Sequence, residues 1–231
     1  MQFHFQSYIH HRKRKIVALK NIIFDYGKVI INLDFDLTRI AFEKEGVKNF
    51  NSLFTEFSQH PFFHLFDCGL ISEEEFRMHL RTATGLPLSD KVIDECWNAM
   101  LMDIPKNRMQ YLDELKKSFN TFLLSNTNSI HLNFISSYLQ KDFAMTDISE
   151  KFNKAYYSCQ VGMRKPDEKI FQLVMEENNL VPEETLFLDD SAVNVETADK
   201  LGMNVILIMP GDEIENKIKD FIASQKEVSL H

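Results

Sequence analysis

Residues 21–31, NIIFDYGKVII, constrain the fold of this chain more than any other stretch. An apolar run of strand length ends abruptly in Asp25, with Gly27 two positions on. A continuous apolar run bounded by glycine reads as a buried strand. In an open α/β sheet the ligand crevice lies just beyond the carboxyl ends of the strands, so Asp25 would stand in it. On its own an acid after a strand also reads as an ordinary turn or helix cap. The rest of the chain has to decide between them.

The segment that follows changes character. Nine of the 20 phenylalanines fall between Phe35 and Phe76, and LTRIAFEKEGV, ISEEEFRMHLRTATG and SDKVIDECWNAMLM each space their apolar residues at the helical period. Ser72 followed by Glu75, and Ser89 before an acidic run, have the form of helix N-caps. No strand pattern interrupts these helices, and their aromatic content is enough for a small core of their own. From Asn107 strands and helices alternate: RMQYLDELKKSF helical, TFLLSN a strand, IHLNFISSYLQ helical, KAYYSC a strand. PDEKIFQLVMEENNL follows as a helix with Pro166 in its first turn, then LFLDD, VETADKLGM and NVILIM as strand, helix and strand. Alternation of this kind implies βαβ units and a parallel sheet. The expected architecture is α/β, a Rossmann-like three-layer core in two pieces, residues 21–33 and 109–231, with an all-helical cap over 34–108. Residues 1–20 are expected to be a flexible basic extension.

Composition narrows the function classes. At 231 residues, 44% hydrophobic and 26% charged, the chain has the balance of a soluble globular protein. No apolar run approaches the roughly 20 residues of a membrane-spanning helix, and the N-terminal segment lacks a signal-peptide cleavage site. The first 20 residues hold five Lys or Arg and no acid, so the net charge of −8 leaves −13 on residues 21–231. An acidic body argues against nucleic acid as a partner. Three widely spaced cysteines, Cys68, Cys96 and Cys159, suggest reduced thiols rather than zinc. The expectation is a cytoplasmic protein acting on a small molecule as a monomer or weak homodimer.

With the strands in this order, each polar oddity falls just past a strand end: Asp25 after NIIF, Ser125-Asn126-Thr127-Asn128 after TFLL, Asp189 and Asp190 after LFL. Lys165 sits in the loop GMRKP before a helix. Parallel strands bring these ends to one edge of the sheet. Converging carboxylates raise one another's pKa unless a cation compensates them, and an all-oxygen set favours Mg²⁺. Ser125 and the amides after it suit a phosphoryl oxygen, and Lys165 offers a compact positive charge for the same group. Singly, each has a plainer reading: caps for Ser125 and the Asp pair, solvated surface for Lys165. Within the helical segment, HPFFHLFDCGLIS with His60, His64 and Asp67 is the expected lining of the crevice; Trp97 and Tyr111 read as core, and Lys28 as solvated, with contact to phosphate as its alternative.

As an ordered set, FDYGKVI, LLSNTN, GMRKPDEKIF and LFLDDSAVNV resemble the four motifs of the haloacid dehalogenase-like hydrolase superfamily, over about residues 21–209. The narrower resemblance is to the branch of α-glucose-1-phosphate phosphatases and the phosphatase-like domains of epoxide hydrolases. The resemblance implies that Asp25 attacks phosphorus to form an aspartyl-phosphate that water then hydrolyses. It also implies Mg²⁺ held by the Asp25 carboxylate, the Gly27 carbonyl and Asp190. Asp189 and Asn194 would stand behind those ligands and orient metal waters or Lys165. Ser125, Asn126 and Lys165 would bind the phosphate.

One position departs from the pattern. Most phosphatases of this superfamily carry a second Asp two residues after the nucleophile, as acid and base; here that residue is Gly27. Slow turnover or an easily expelled leaving group is expected, and with it faster cleavage of sugar-1-phosphates than 6-phosphates. Two alternatives stand beside the phosphatase: a metal-independent 2-haloacid dehalogenase, against which the Asp189-Asp190 pair weighs, and a non-catalytic phosphometabolite-binding module.

Overall fold

The computed structural model of the chain describes residues 17–55 and 59–228. Five strands form one sheet: β1 (Asn21–Phe24), β2 (Asn120–Ser125), β3 (Lys154–Tyr157), β4 (Thr185–Asp189) and β5 (Asn204–Leu207). Their spatial order is β3-β2-β1-β4-β5, every pair parallel. All four residues of β1 are buried, as a strand covered on both faces requires.

Alternate residues of each strand point into different layers. Ile22, Phe24, Leu123, Leu186 and Leu188 join a cluster built with α5 (Lys106–Leu115), α6 (Ser129–Phe143) and α10 (Ile214–Val228). Ile23, Phe122, Leu124 and Phe187 join the opposite cluster with α8 (Glu168–Glu177) and α9 (Ala192–Lys200). The three-layer α/β architecture read from the sequence is the one observed.

Between β1 and α5 lie α1 (Phe35–Lys44), α2 (Pro61–Asp67), α3 (Glu73–Thr84) and α4 (Asp90–Asn98). They enclose a separate apolar cluster, rich in phenylalanine and centred on Trp97, to which α6 contributes only Ile130. Ser72 and Glu75 form the expected capping box on α3, and Ser89 caps α4 through the Val92 N–H. The chain passes between the clusters along two adjacent segments: Leu33 bridges Leu101, and the Asn32 N–H donates to the Asp103 carbonyl at 2.9 Å.

Three local expectations are corrected: the place of Pro166, the end of the third strand and the extent of the basic extension. Pro166 precedes the N-cap Asp167 of α8 rather than sitting in its first turn. The strand expected over KAYYSC stops at Tyr157, where Ser158–Val161 turns into a short helix, α7. KVII continues as a turn, because Lys28 takes a left-handed φ of 57°. Helix α10 carried no expectation. Of the basic extension, residues 1–16 lie outside the described residues, while Lys20 already ladders with Asn120 and Glu184. Among the described residues no helix is long and apolar enough to cross a membrane.

Candidate active site

The strand order reverses between β1 and β4, and the residues just past these two strands come together there. Phe24 is level with Leu123 and Leu188, and the Asp25 N–H continues the ladder by donating to the Leu188 carbonyl at 2.9 Å. Asp25, Asp189 and Asp190 thus share one edge. One carboxylate oxygen from each lies within 4.8 Å of the others.

Lys165 is the counter-charge. Its Nζ donates to Asp25 Oδ1 and to Asp189 Oδ2, both at 2.7 Å, and its side chain is only 1% exposed. A lysine so buried is tolerable only because two acids pair it. Burial disfavours its charged form, but Asp189 and Asp25 outweigh that and hold its pKa above the usual value. Asn126 fixes the lysine's main chain from the other side, accepting from the Lys165 N–H at 2.9 Å and donating to its carbonyl at 2.8 Å. That uses one donor and one acceptor of the Asn126 side chain and leaves its second amide N–H.

Asp189 is fully buried and saturated. Oδ1 accepts from the Ser191 N–H at 2.8 Å, Oδ2 from Lys165, and Asn194 Nδ2 lies 3.0 Å from both oxygens. Asp190, past the end of β4, is more open and pairs with Lys28 at 3.6 Å. Lys28 also lies 5.0 Å over the ring of Phe35, with its side chain 28% exposed. The solvated surface lysine expected from the sequence is therefore part of the site's rim.

Burial, opposed by Lys165 and reinforced by Asp189 and Asp190, pushes the Asp25 carboxyl up to about 7. The nucleophilic role expected of Asp25 would be poorly served by that value. A hard divalent cation fits an all-oxygen donor set and would draw the pKa down again. Asp25 and Asp190 could hold it with the Gly27 carbonyl. At Gly27 an added Cβ would stand 2.6 Å from Leu33 Cδ1, so Leu33 fills the space where a second acid would sit.

Ser125, buried at the end of β2, lies one step beyond the level of Asp25. The loop after it is pinned: Thr127 donates to Ser158 Oγ at 2.9 Å and accepts from it at 3.0 Å, and Asn128 caps α6 through the His131 N–H. The start of α6 directly behind Ser125 suits an anion.

Of the crevice lining expected on α2, only Asp67 reaches this region. Its Oδ2 lies 3.2 Å from Nη1 of Arg164, and its Oδ1 accepts from Asn128 at 3.2 Å. Burial raises its pKa, opposed by Arg164 and Asn128. His60 is exposed and packs on Phe62, and the exposed His64 lies 4.0 Å from Cys68 Sγ. Ser158 and Arg164 were not singled out in the sequence, because each acts through a residue more than 30 positions away; Asn128 stood in the polar run after TFLL, but its bonds to Asp67 and Trp97, 61 and 31 positions back, could not be read there. Trp97 and Tyr111 are core residues as expected.

A family model described as haloacid dehalogenase-like hydrolase matches residues 30–208. The match opens after Asp25, which it therefore does not include. A D-ribitol-5-phosphate phosphatase from Bacteroides thetaiotaomicron is 30% identical over 186 residues, 80% of this chain and 89% of that protein. Bifunctional epoxide hydrolase 2 of Rattus norvegicus is 33% identical over 96 residues, 40% of this chain but only 16% of that protein. A solved structure of a B. thetaiotaomicron enzyme of the same family, in complex with magnesium and inorganic phosphate, superposes with a TM-score of 0.81. It is 33% identical, and the match covers 87% of this chain and 99% of that one. The chain belongs to the haloacid dehalogenase-like hydrolase family.

Proposed function

We propose that the chain is a Mg²⁺-dependent phosphatase that hydrolyses a small sugar-alcohol or sugar phosphate through an aspartyl-phosphate on Asp25. The observation that carries this reading is the single ammonium of Lys165 bonded to both Asp25 and Asp189, with Asp190 beside them at the sheet's switch point. A scaffold has no need of three acids and a buried lysine at one edge. The similarity to a ribitol-5-phosphate phosphatase over most of both chains supports the sugar-alcohol class.

Asp25 attacks phosphorus from the side opposite the leaving oxygen; the Asp–O–P bond forms as the bond to the substrate's alkoxide breaks. Lys165, the Ser125 hydroxyl and the amides entering α6 hold the phosphoryl oxygens, where charge accumulates in transfer. Asp189 and Asn194 aim Lys165, and water then cleaves the acyl phosphate to regenerate Asp25. Mg²⁺, held by Asp25, Asp190 and the Gly27 carbonyl, would supply charge that offsets the carboxylates and the phosphate. With Gly27 in place of an acid, the leaving alkoxide must take its proton from elsewhere. Residues 34–108 serve as the cap that closes over the crevice. Free Cys68, Cys96 and Cys159 support a reducing compartment such as the cytoplasm.

A panel of phosphoesters with Mg²⁺ or chelator tests the reading, with D-ribitol 5-phosphate, sugar-1-phosphates, 6-phosphates and 4-nitrophenyl phosphate as substrates. Mg²⁺-dependent phosphate release that disappears in Asp25→Asn is the expected result. Chelator-resistant halide release from a 2-haloacid would replace it with the dehalogenase reading.

A further inference from the structure

Asp67 closes helix α2, yet its ion-pair and hydrogen-bond partners both lie across the seam, on the sheet side. Arg164 and Asn128 belong to different loops. Each loop carries a residue assigned above to the phosphate: Lys165 directly follows Arg164, and Ser125 stands three positions before Asn128. With its side chain only 15% exposed, the carboxylate is costly to hold there unless both partners are in place. The seam is therefore favourable in one register of the inserted helices against the two loops.

Three further contacts fix the same register. Gly69 has φ +65°, and a Cβ there would stand 2.1 Å from the carbonyl oxygen of Cys159, so only glycine allows this approach. Asn128 Oδ1 also accepts from Trp97 Nε1 at 3.4 Å, and Trp97 stacks on His131 of α6 at 5.0 Å. Asn128 thus receives α2 and α4 at once, while starting the helix behind Ser125.

We propose that Asp67 is a positioning residue that, by bridging Arg164 and Asn128, sets the Lys165 loop against the Ser125 loop when the helices are seated. Asp67 is not among the three clustered carboxylates. It acts through its two partners, and a displacement of either loop is felt at phosphorus. The proposal rests on the phosphatase reading of the same site.

The test uses the full-length protein with the variants Asp67→Asn, Asp67→Glu, Gly69→Ala and the exchanged pair Asp67→Arg with Arg164→Asp. Steady-state rates on D-ribitol 5-phosphate and 4-nitrophenyl phosphate are read with saturating Mg²⁺. Fluorescence of Trp97, the only tryptophan, is read as Mg²⁺ and inorganic phosphate are added. Asp67→Asn is expected to lower kcat roughly ten- to hundredfold, the range for misplaced reacting groups, with KM moved far less. Gly69→Ala should reproduce the loss by a steric route, and Asp67→Glu or the exchanged pair should recover part of it. A kcat within about twofold of wild type in Asp67→Asn, or a loss that neither Asp67→Glu nor the exchange recovers, overturns the proposal. If the wild type releases no phosphate from any ester, the phosphatase reading fails by itself and the fluorescence decides the bridge. A Trp97 response to Mg²⁺ and phosphate that is lost in Asp67→Asn supports the bridge, and an unchanged response overturns it.

Discussion

Gly27 and Leu33 have to be understood together. The missing second acid leaves a hole in the chemistry but not in the packing, because Leu33 Cδ1 occupies the space a side chain at 27 would enter. Leu33 is half-buried and Cδ1 is the far end of its flexible side chain, so it can turn aside for Gly27→Asp, and Leu33→Ala beside it gives the new carboxyl more room. General acid/base catalysis is worth about 10²–10⁴-fold, and alkyl esters such as ribitol 5-phosphate, whose leaving group needs a proton, should gain most of it. 4-Nitrophenyl phosphate needs no such help and should change little; equal gains on both esters would show that the new carboxyl is not acting as an acid. His131 supplies a prediction of another kind. Burial alone holds its pKa down at about 3 from an ordinary 6.5, beneath Trp97 and against Asn98 Oδ1 at 2.9 Å. Between those values the unfolded chain takes up a proton that the folded chain refuses, so the stability present above pH 6.5 is lost as pH falls. From pH 6.5 to 5 the loss should be about 2 kcal/mol. Urea titrations at the two pH values should show it in the wild type and not in His131→Asn; matching slopes would mean His131 is not the group responsible.

The helices and strands differ in how openly the sequence announces them, and the difference follows the range of their contacts. LFLDDSAVN was readable because its chemistry is local: Asp189 takes the Ser191 N–H two residues on and the Asn194 amide five on, within the first turn of α9. That turn is a clamp, so Asn194→Ala should lower kcat roughly ten- to hundredfold, as lost support behind a site typically does, and barely move the unfolding midpoint. A large stability loss with unchanged turnover of the folded enzyme would make Asn194 a cap only. The capping box on α3 and the buried strand β1 were equally plain, being matters of spacing and apolar run. The end of β3 was not legible. KAYYSC reads as one strand, yet Ser158 leaves it to bond both main-chain groups of Thr127, 31 positions away. Lys28 was misread for a similar reason: a left-handed turn swings its ammonium toward Asp190, and no local pattern encodes a partner so distant. Asp67 was noticed in the sequence, but its partners, 61 and 97 positions on, could not be.

Across the whole chain, the site is a place where folding concentrates charge that it would otherwise keep apart. Residues 25, 165, 189 and 190 meet through 166 positions of sequence in a body that is already net negative. Lys165 offsets two of the acids, but its two bonds leave Asp25 with a carboxyl still raised to about 7. The fold without a cation thus carries a cost that the unfolded chain does not, first from burial of the Asp25 carboxyl and then from repulsion by Asp189 and Asp190. A divalent ion that binds only the folded state must then stabilise the whole molecule, by about 2.7 kcal/mol at a free concentration 100 times its Kd. For a chain of this length that corresponds to a rise of roughly 5–10 °C in Tm. Thermal unfolding with MgCl₂ and with NaCl at matched ionic strength separates site binding from screening, since screening treats the two salts alike. The shift should appear with Mg²⁺ only, saturate, and shrink sharply in Asp190→Asn. An equal shift with NaCl, or one undiminished in Asp190→Asn, would mean that the three carboxylates are not where the cation binds.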